Sequence, residues 1–247
     1  VQTCALPISR IFSTFPLHGQ TTLELDPSAQ RHVSQVLRLK SGAPITLFDG
    51  DGSEHEAIID SVAKRNTTVS LLQQRYISTE SPLSIHLLQG ISKGERMDYA
   101  IQKATETGVA AITPLFCQRT VVKLDPKRLE KRFQHWKGIA ISACEQCGRG
   151  LIPQLHPPTS LQQQLSIAST TEQFVLDPNA QQRFADFSPK SNQITLLIGP
   201  EGGLNDEEIE QAAQQGYQRV QLGPRILRTE TAAVAAIAII QSLWGDL

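Results

Sequence analysis

Two segments near the C-terminal end constrain this chain more than any other. Each reads as a strand that runs into a glycine-bearing loop and then a helix. The first is Ile198-Gly199-Pro200-Glu201-Gly202-Gly203-Leu204-Asn205-Asp206-Glu207-Glu208. The second is Leu222-Gly223-Pro224-Arg225-Ile226-Leu227-Arg228-Thr229-Glu230-Thr231-Ala232. Strand, helix and strand in alternation build a mainly parallel sheet, because each crossover must carry the chain back to the end where the next strand begins. The alternation starts earlier, with a strand at 84–90, a helix at 95–107 closed by Gly108, and a strand at 110–116. Residues 126–147 form a long helix whose apolar stripe is Leu129, Phe133, Trp136, Ala140 and Ala143. After a crossing rich in proline come strands at 173–176 and 194–198, a helix from Asn205, a strand at 219–222 and a last helix from Thr229. The rhythm predicts an α/β domain over residues 83–247.

Residues 1–76 have another rhythm. Short alternating runs such as Thr21-Thr22-Leu23-Glu24-Leu25 and Ile45-Thr46-Leu47-Phe48 are separated by turn residues, and Asp49-Gly50-Asp51-Gly52 reads as a hairpin turn. These predict a small β-barrel. One helix interrupts it, with Asp26 as N-cap, Pro27 in the first helical position, and Val33, Val36 and Leu37 on one face. The polar stretch 77–82, ending in Pro82, is the expected linker.

Composition excludes several classes. At 247 residues with 40% apolar and 19% charged side chains, the chain has ordinary globular content. Its longest apolar run, residues 232–240, is nine residues, against the roughly 20 that span a bilayer. The first residues lack the basic and apolar regions of a signal peptide, so the expected compartment is the cytoplasm. Four cysteines, unevenly placed, predict free thiols. Cys144 and Cys147 form a CxxC, but inside a predicted helix and without a second pair or a histidine partner. The six histidines show no metal-like spacing, so no metal is expected.

Net charge is −1, yet its distribution is uneven. Residues 77–160 carry eleven basic against seven acidic side chains, and residues 161–247 five against ten. Phosphate binding is mainly a charge effect, so the basic middle is the expected nucleic-acid surface.

In the first glycine loop, Asn205 and Glu208 fit a capping box. The loop lacks the Lys-Ser/Thr of a P-loop and the spacing of a dinucleotide fingerprint. Its acidic first turn, Asp206-Glu207-Glu208, would repel phosphate and tolerate a cation. In the second segment Thr229 is the expected N-cap, which leaves Arg225 and Arg228 without a capping purpose. Both loops leave the C-terminal ends of strands read as adjacent, where open α/β sheets bind ligands. Alone, either loop also reads as an ordinary strand-to-helix turn.

Together they resemble the cofactor-binding signature of the bacterial 16S ribosomal RNA (uracil N3) methyltransferases of the SPOUT superfamily. The resemblance covers residues 10–247. Arg10-Ile11-Phe12 is similar to that family's opening, Lys93-Gly94-Glu95-Arg96-Met97-Asp98 and Lys103-Ala104-Thr105-Glu106-Thr107-Gly108 to its central block, and Glu145-Gln146-Cys147-Gly148-Arg149 to its next. Residues 1–9 do not resemble the family's start, which fits a non-native leader, and 159–192 show little likeness.

The resemblance implies a PUA-like RNA-binding barrel, then a C-terminal domain with a deep trefoil knot that holds S-adenosylmethionine and forms a homodimer. The implied cofactor residues are Leu176, Gly199, Pro200, Glu201, Gly202, Gly203, Leu222, Gly223, Ile226, Leu227, Arg228, Thr231 and Ala232. The implied substrate is a uridine of 16S ribosomal RNA in the assembled small ribosomal subunit. For the chemistry, Glu230 is the candidate base for the N3 proton, and Arg228 the group that steadies an imide anion or a phosphate. The alternatives are a dipole partner for Glu230 and an ion-pair partner for Arg228. Expected RNA contacts are Arg10, Lys93, Arg119, Lys131, Arg132 and Arg149, with a solvated helix face the alternative for 127–132. Two other functions stay open: an enzyme of the same superfamily acting on another RNA, and a non-catalytic RNA-binding factor of ribosome assembly.

Overall fold

The structure, a computed structural model, describes residues 9–63, 66–77, 79–122 and 125–247. Eight of the nine residues read as a leader therefore lie outside the described residues, and Ser9 already pairs with Ile45. The chain divides into two units, Val1–Glu80 with Ile141–Ile152, and Ser81–Ala140 with Pro153–Leu247.

The first unit is a β domain built on five strands. Its strands β1 (Ser9–Phe12), β2 (Thr22–Glu24), β3 (Pro44–Phe48), β4 (Ser53–Val62) and β5 (Thr67–Tyr76) lie in the order β1-β3-β4-β5-β2. The pairs are antiparallel except β1 with β3. Ile11, Leu17, Ile45, Leu47, Ile59 and Val69 fill its core. Helix α1 (Pro27–Arg31) starts as its sequence demands, with the Asp26 carboxylate accepting from the Ser28 and Ala29 amides. It then widens into a π-helical turn over His32–Val36, closed by Leu37 N–H to His32 O at 2.9 Å. That wider turn explains one difference from the helical pattern: Val33 is buried, but Val36 stands 68% exposed.

The second unit is α/β. Its elements are β6 (Ser84–Gly90), α2 (Glu95–Glu106), β7 (Ala111–Phe116), α3 (Pro126–Cys147), β8 (Gln154–Leu155), β9 (Thr159–Ser160), α4 (Leu161–Leu165), β10 (Glu172–Leu176), β11 (Gln193–Ile198), α5 (Asp206–Gln214), β12 (Gln218–Val220) and α6 (Thr229–Trp244). All pairs in this sheet are parallel, in the order β12-β10-β11-β6-β7-β8, with β9 also on β7. Both faces are buried. Phe133, Trp136 and Ile237 belong to one core cluster, and Leu161, Ile209 and Tyr217 to the other.

Two expectations need correction. The strands that feed the glycine loops are not adjacent, because β10 lies between β11 and β12 and pairs with both. Periodicity gives no strand order. Residues 83–247 are also not one block, since 141–152, including the end of α3, group with the first unit. The cause is a set of contacts far apart in sequence. The buried Arg10 guanidinium donates to Cys144 O at 2.8 Å and Arg149 O at 3.3 Å, and the Phe12 amide donates to Glu145 Oε1 at 3.0 Å. Burial raises the Glu145 carboxyl, the Phe12 amide, His32 and Arg10 oppose this, and the balance lies above the ordinary carboxylate value.

Candidate functional site

The loops after β10, β11 and β12 meet at the C-terminal ends of those strands around a cavity of about 410 Å³. The β11 loop is shaped by its own sequence. Gly203 N–H donates to Pro200 O at 2.9 Å, closing a tight turn, and Gly203 holds φ +69°, which a side chain at that position would strain. A Cβ built on Gly203 would meet nothing within 4 Å, so the turn leaves open space on the cavity side. The capping box then launches α5: Glu208 N–H donates to Asn205 Oδ1 at 2.8 Å and Asn205 N–H to Glu208 Oε2 at 3.0 Å.

Among the expected cofactor residues, Leu176, Gly199, Pro200, Glu201, Gly202 and Gly203 line the cavity. So do Leu222, Gly223, Ile226, Leu227 and Ala232. Arg228 and Thr231 do not, and neither does the candidate base Glu230. Helical geometry is the reason. Thr229 and Ala232, three apart, share the face of α6 turned to the cavity, which sends the residues between them elsewhere. Glu230 is half-buried with Oε2 lacking a donor among the described residues, and Arg228 is exposed.

Thr229 is not the N-cap. Arg228 holds that place without a side-chain bond, and Thr229 is the first helical residue. Its hydroxyl donates to Gly199 O at 2.6 Å and accepts from Gln89 Nε2 at 2.9 Å.

The β10 loop escaped sequence reasoning. Asp177, Pro178 and Asn179 line the cavity between the two glycine loops. Asp177 is fully buried there. Its Oδ2 accepts from Arg219 Nε at 2.8 Å and Nη2 at 2.7 Å, and its Oδ1 from the Asn179 amide at 2.9 Å. Only strand order brings this turn to the site, and no local pattern marks it.

Glu201 sets the local charge. Its Oε1 accepts from the Lys93 amide at 2.7 Å and Arg96 Nη1 at 3.1 Å. Burial raises this carboxyl, but those hydrogen bonds and the Arg96 charge outweigh it and hold the group below its ordinary value. Glu201 Oε2 is buried and has no donor among the described residues. An orphaned anionic oxygen beside a wall built from Leu176, Leu222, Leu227 and Ala232 suits a ligand with one flat apolar part and one cationic part. S-adenosylmethionine, with an adenine and a sulfonium, is such a ligand.

The expected RNA residues separate into two groups. Arg10 is buried, paired to Glu54 Oε2 at 3.2 Å and stacked 4.5 Å above the Phe48 ring. Arg149 is buried against Glu80 at 2.6 Å. Both are structural in the first unit, which corrects the reading of them as phosphate contacts. In the second unit Arg119 donates to Gly202 O at 3.0 Å and lines the cavity, so its guanidinium braces the glycine loop. Lys93 and Lys131 are exposed, Arg132 is half-buried, and none has an ion pair among the described residues. Cys144 is buried and its thiol is pushed up to about 12, chiefly by burial, so it stays protonated at neutral pH. Among the described residues no three or more His, Cys, Asp or Glu side chains converge as a metal site, and no helix is long and apolar enough to cross a membrane.

Comparison with known proteins agrees with this geometry. The family described as RNA methyltransferase domain matches residues 79–241, and that described as RNA methyltransferase PUA domain matches 25–72. The chain is 36% identical over 241 residues to the ribosomal RNA small subunit methyltransferase E of Buchnera aphidicola subsp. Schizaphis graminum, covering 97% of this chain and 98% of that one. It is 32% identical to the Bacillus subtilis protein of the same name, covering 91% and 93%. Among solved structures, a Legionella pneumophila protein in complex with S-adenosylmethionine superposes with TM-score 0.95 at 42% identity, over 98% of this chain and 100% of that one. The Neisseria gonorrhoeae ribosomal RNA small subunit methyltransferase E, bound to S-adenosylmethionine, gives 0.90 at 39%, over 97% and 99%. With both halves matched and the likeness running nearly end to end, the chain belongs to the RNA methyltransferase family.

Proposed function

We propose that this chain transfers a methyl group from S-adenosylmethionine to N3 of one uridine in 16S ribosomal RNA, acting on the assembled small subunit in the cytoplasm. The observation that carries the reading is the cavity walled by the loops after β10, β11 and β12 with Glu201 at its edge. When bound, S-adenosylmethionine supplies an electrophilic methyl on a sulfonium.

The chain's own residues have three tasks. Leu176, Leu222, Leu227 and Ala232 offer an apolar wall, and the backbone around Gly199–Gly203 can approach the ligand closely. Glu201 keeps a negative charge near neutral pH where a cationic ligand needs one. Glu230, outside the cavity lining and with Oε2 lacking a donor among the described residues, takes the N3 proton, and exposed Arg228, at the N-cap of α6, steadies the imide anion or an RNA phosphate. If deprotonation precedes transfer, opposite charges cancel as the new bond forms, and exclusion of water favours that step. Lys93, Lys131 and Arg132 supply phosphate contacts.

The same reading carries the homodimer and the deep trefoil knot. For the dimer the support is α6, whose Ile239 and Leu243 stay 37% and 44% exposed one turn apart on a helix that is wholly apolar over residues 232–240.

The test is transfer of labelled methyl from S-adenosylmethionine to small subunits that lack the modification, followed by nucleoside mass spectrometry. The expected product is 3-methyluridine. A different methylated nucleoside would point to another RNA or another acceptor atom, and absence of cofactor binding to the non-catalytic reading.

A further inference from the structure

We infer that Gln89, which does not line the cavity, is a positioning residue for the cofactor site and acts through Thr229. The inference rests on the reading of that cavity as the S-adenosylmethionine site.

One peptide bond is central. Pro200 has no N–H, so the carbonyl of Gly199 is the only hydrogen-bonding group on the bond that joins them. That carbonyl accepts from the Thr229 hydroxyl at 2.6 Å. A hydroxyl has one proton to give, and Thr229 spends it there because Gln89 Nε2, a donor at 2.9 Å, occupies the acceptor side of the same oxygen. Gln89 thereby fixes which way the hydroxyl points. Its Nε2 also donates to Gly90 O at 3.2 Å, so one amide ties the end of β6 to the start of α6.

From the other side, the backbone presses on the same peptide. A Cβ on Gly90 would collide with the backbone nitrogen of Pro200, so β6 and the β11 loop touch main chain to main chain. The Gly199–Pro200 peptide is thus held between Gly90 and Thr229. It opens the turn in which Gly203 N–H returns to Pro200 O, the turn that forms one wall of the cavity.

The energetics of Gln89 point the same way. The residue is 1% exposed and its Oε1 has no partner among the described residues. An unsatisfied buried acceptor costs stability that an apolar side chain of similar size would not. A rule of core packing is broken next to the site, where such violations gather.

The experiment measures S-adenosylmethionine binding by calorimetry, at a temperature where circular dichroism shows every variant folded, alongside Tm and steady-state kinetics. For Gln89→Met the expected result is a roughly fivefold weaker Kd, with KM for S-adenosylmethionine rising in step, kcat nearly unchanged and Tm unchanged or higher. Thr229→Val should weaken binding about tenfold and Thr229→Ser should restore it to within about twofold, on the scale of one buried hydrogen bond. Gln89→Met with a lowered Tm and an unchanged Kd would overturn the inference and leave Gln89 a packing residue. If the unsubstituted chain bound no S-adenosylmethionine, the site reading itself would fail first.

Discussion

At the residue scale, the same side-chain type carries different meanings in different surroundings. Arg10 and Lys131 are both cations in a chain that acts on RNA, but Arg10 has a carboxylate, two carbonyls and an aromatic ring around its guanidinium. Removing Arg10 leaves Glu54 its second cation, Arg75 at 3.2 Å, but strands two buried carbonyl acceptors, which costs about 1–3 kcal/mol. Arg10→Ala should therefore lower the unfolding free energy from urea titration by that amount, while the salt dependence of RNA binding by the folded protein stays as it was. A shallower salt dependence would return Arg10 to the RNA surface. Glu230 is the opposite case, a carboxylate with one buried oxygen that no donor among the described residues satisfies. As the proposed proton acceptor it should give, on Glu230→Gln, a fall in kcat of at least about 100-fold with the Kd for S-adenosylmethionine unchanged. Near-normal turnover would reduce it to a partner of the helix dipole.

At the element scale, α3 carries Lys131 and Arg132 in its first turns, clear of the buried Phe133 and Trp136. Replacing both by alanine should reduce the steepness of log Kd against log salt for the small subunit by about 1–2, one for each phosphate no longer neutralised. An unchanged slope would assign this face to solvent. Elements of this kind were legible in the sequence because their signals are local. The stripe of α3, the Asp26 cap and the Asn205–Glu208 capping box all lie within a few residues of what they determine. By contrast β8 and β9 are two residues each and exist only as additions to β7, so no period announces them. Of the site, the two glycine loops could be read directly and the β10 turn could not. Asp177 and Asn179 reach the cavity only because β10 inserts between the other two strands. The burial of Arg10 depends on carbonyls 134 and 139 positions away, a distance over which sequence pattern is silent.

At the scale of the whole molecule, stability should depend on pH through a histidine remote from the chemistry. His86, on β6, bonds Thr113 Oγ1 at 2.8 Å and stacks near His156. Burial first, and His156 second, push its pKa from 6.5 down to about 4. As pH falls, the unfolded chain takes up this proton before the folded one does. The contribution is therefore whole above pH 6.5 and is lost between there and pH 4, at about 1.4 kcal/mol per pH unit and roughly 3 kcal/mol in all. Urea midpoints measured across that range should fall with acid, and His86→Asn should flatten the fall; an unaltered slope would exclude this group. Assembly is the other property at this scale. For the proposed homodimer, Ile239→Asp with Leu243→Asp should give monomers in sedimentation, and an unchanged sedimentation coefficient would remove α6 as the interface. The grouping of residues 141–152 with the first unit has a consequence for synthesis. When residue 80 leaves the ribosome, Arg10 has no Cys144 or Arg149 carbonyl to bond and Glu80 has no Arg149. At about 5–20 residues per second, the missing stretch arrives some 4–14 s later. Through that interval the nascent first unit can form the Arg10–Glu54 pair but lacks two acceptors for the Arg10 guanidinium and the cation for Glu80, and it is completed only after much of the second unit has been translated.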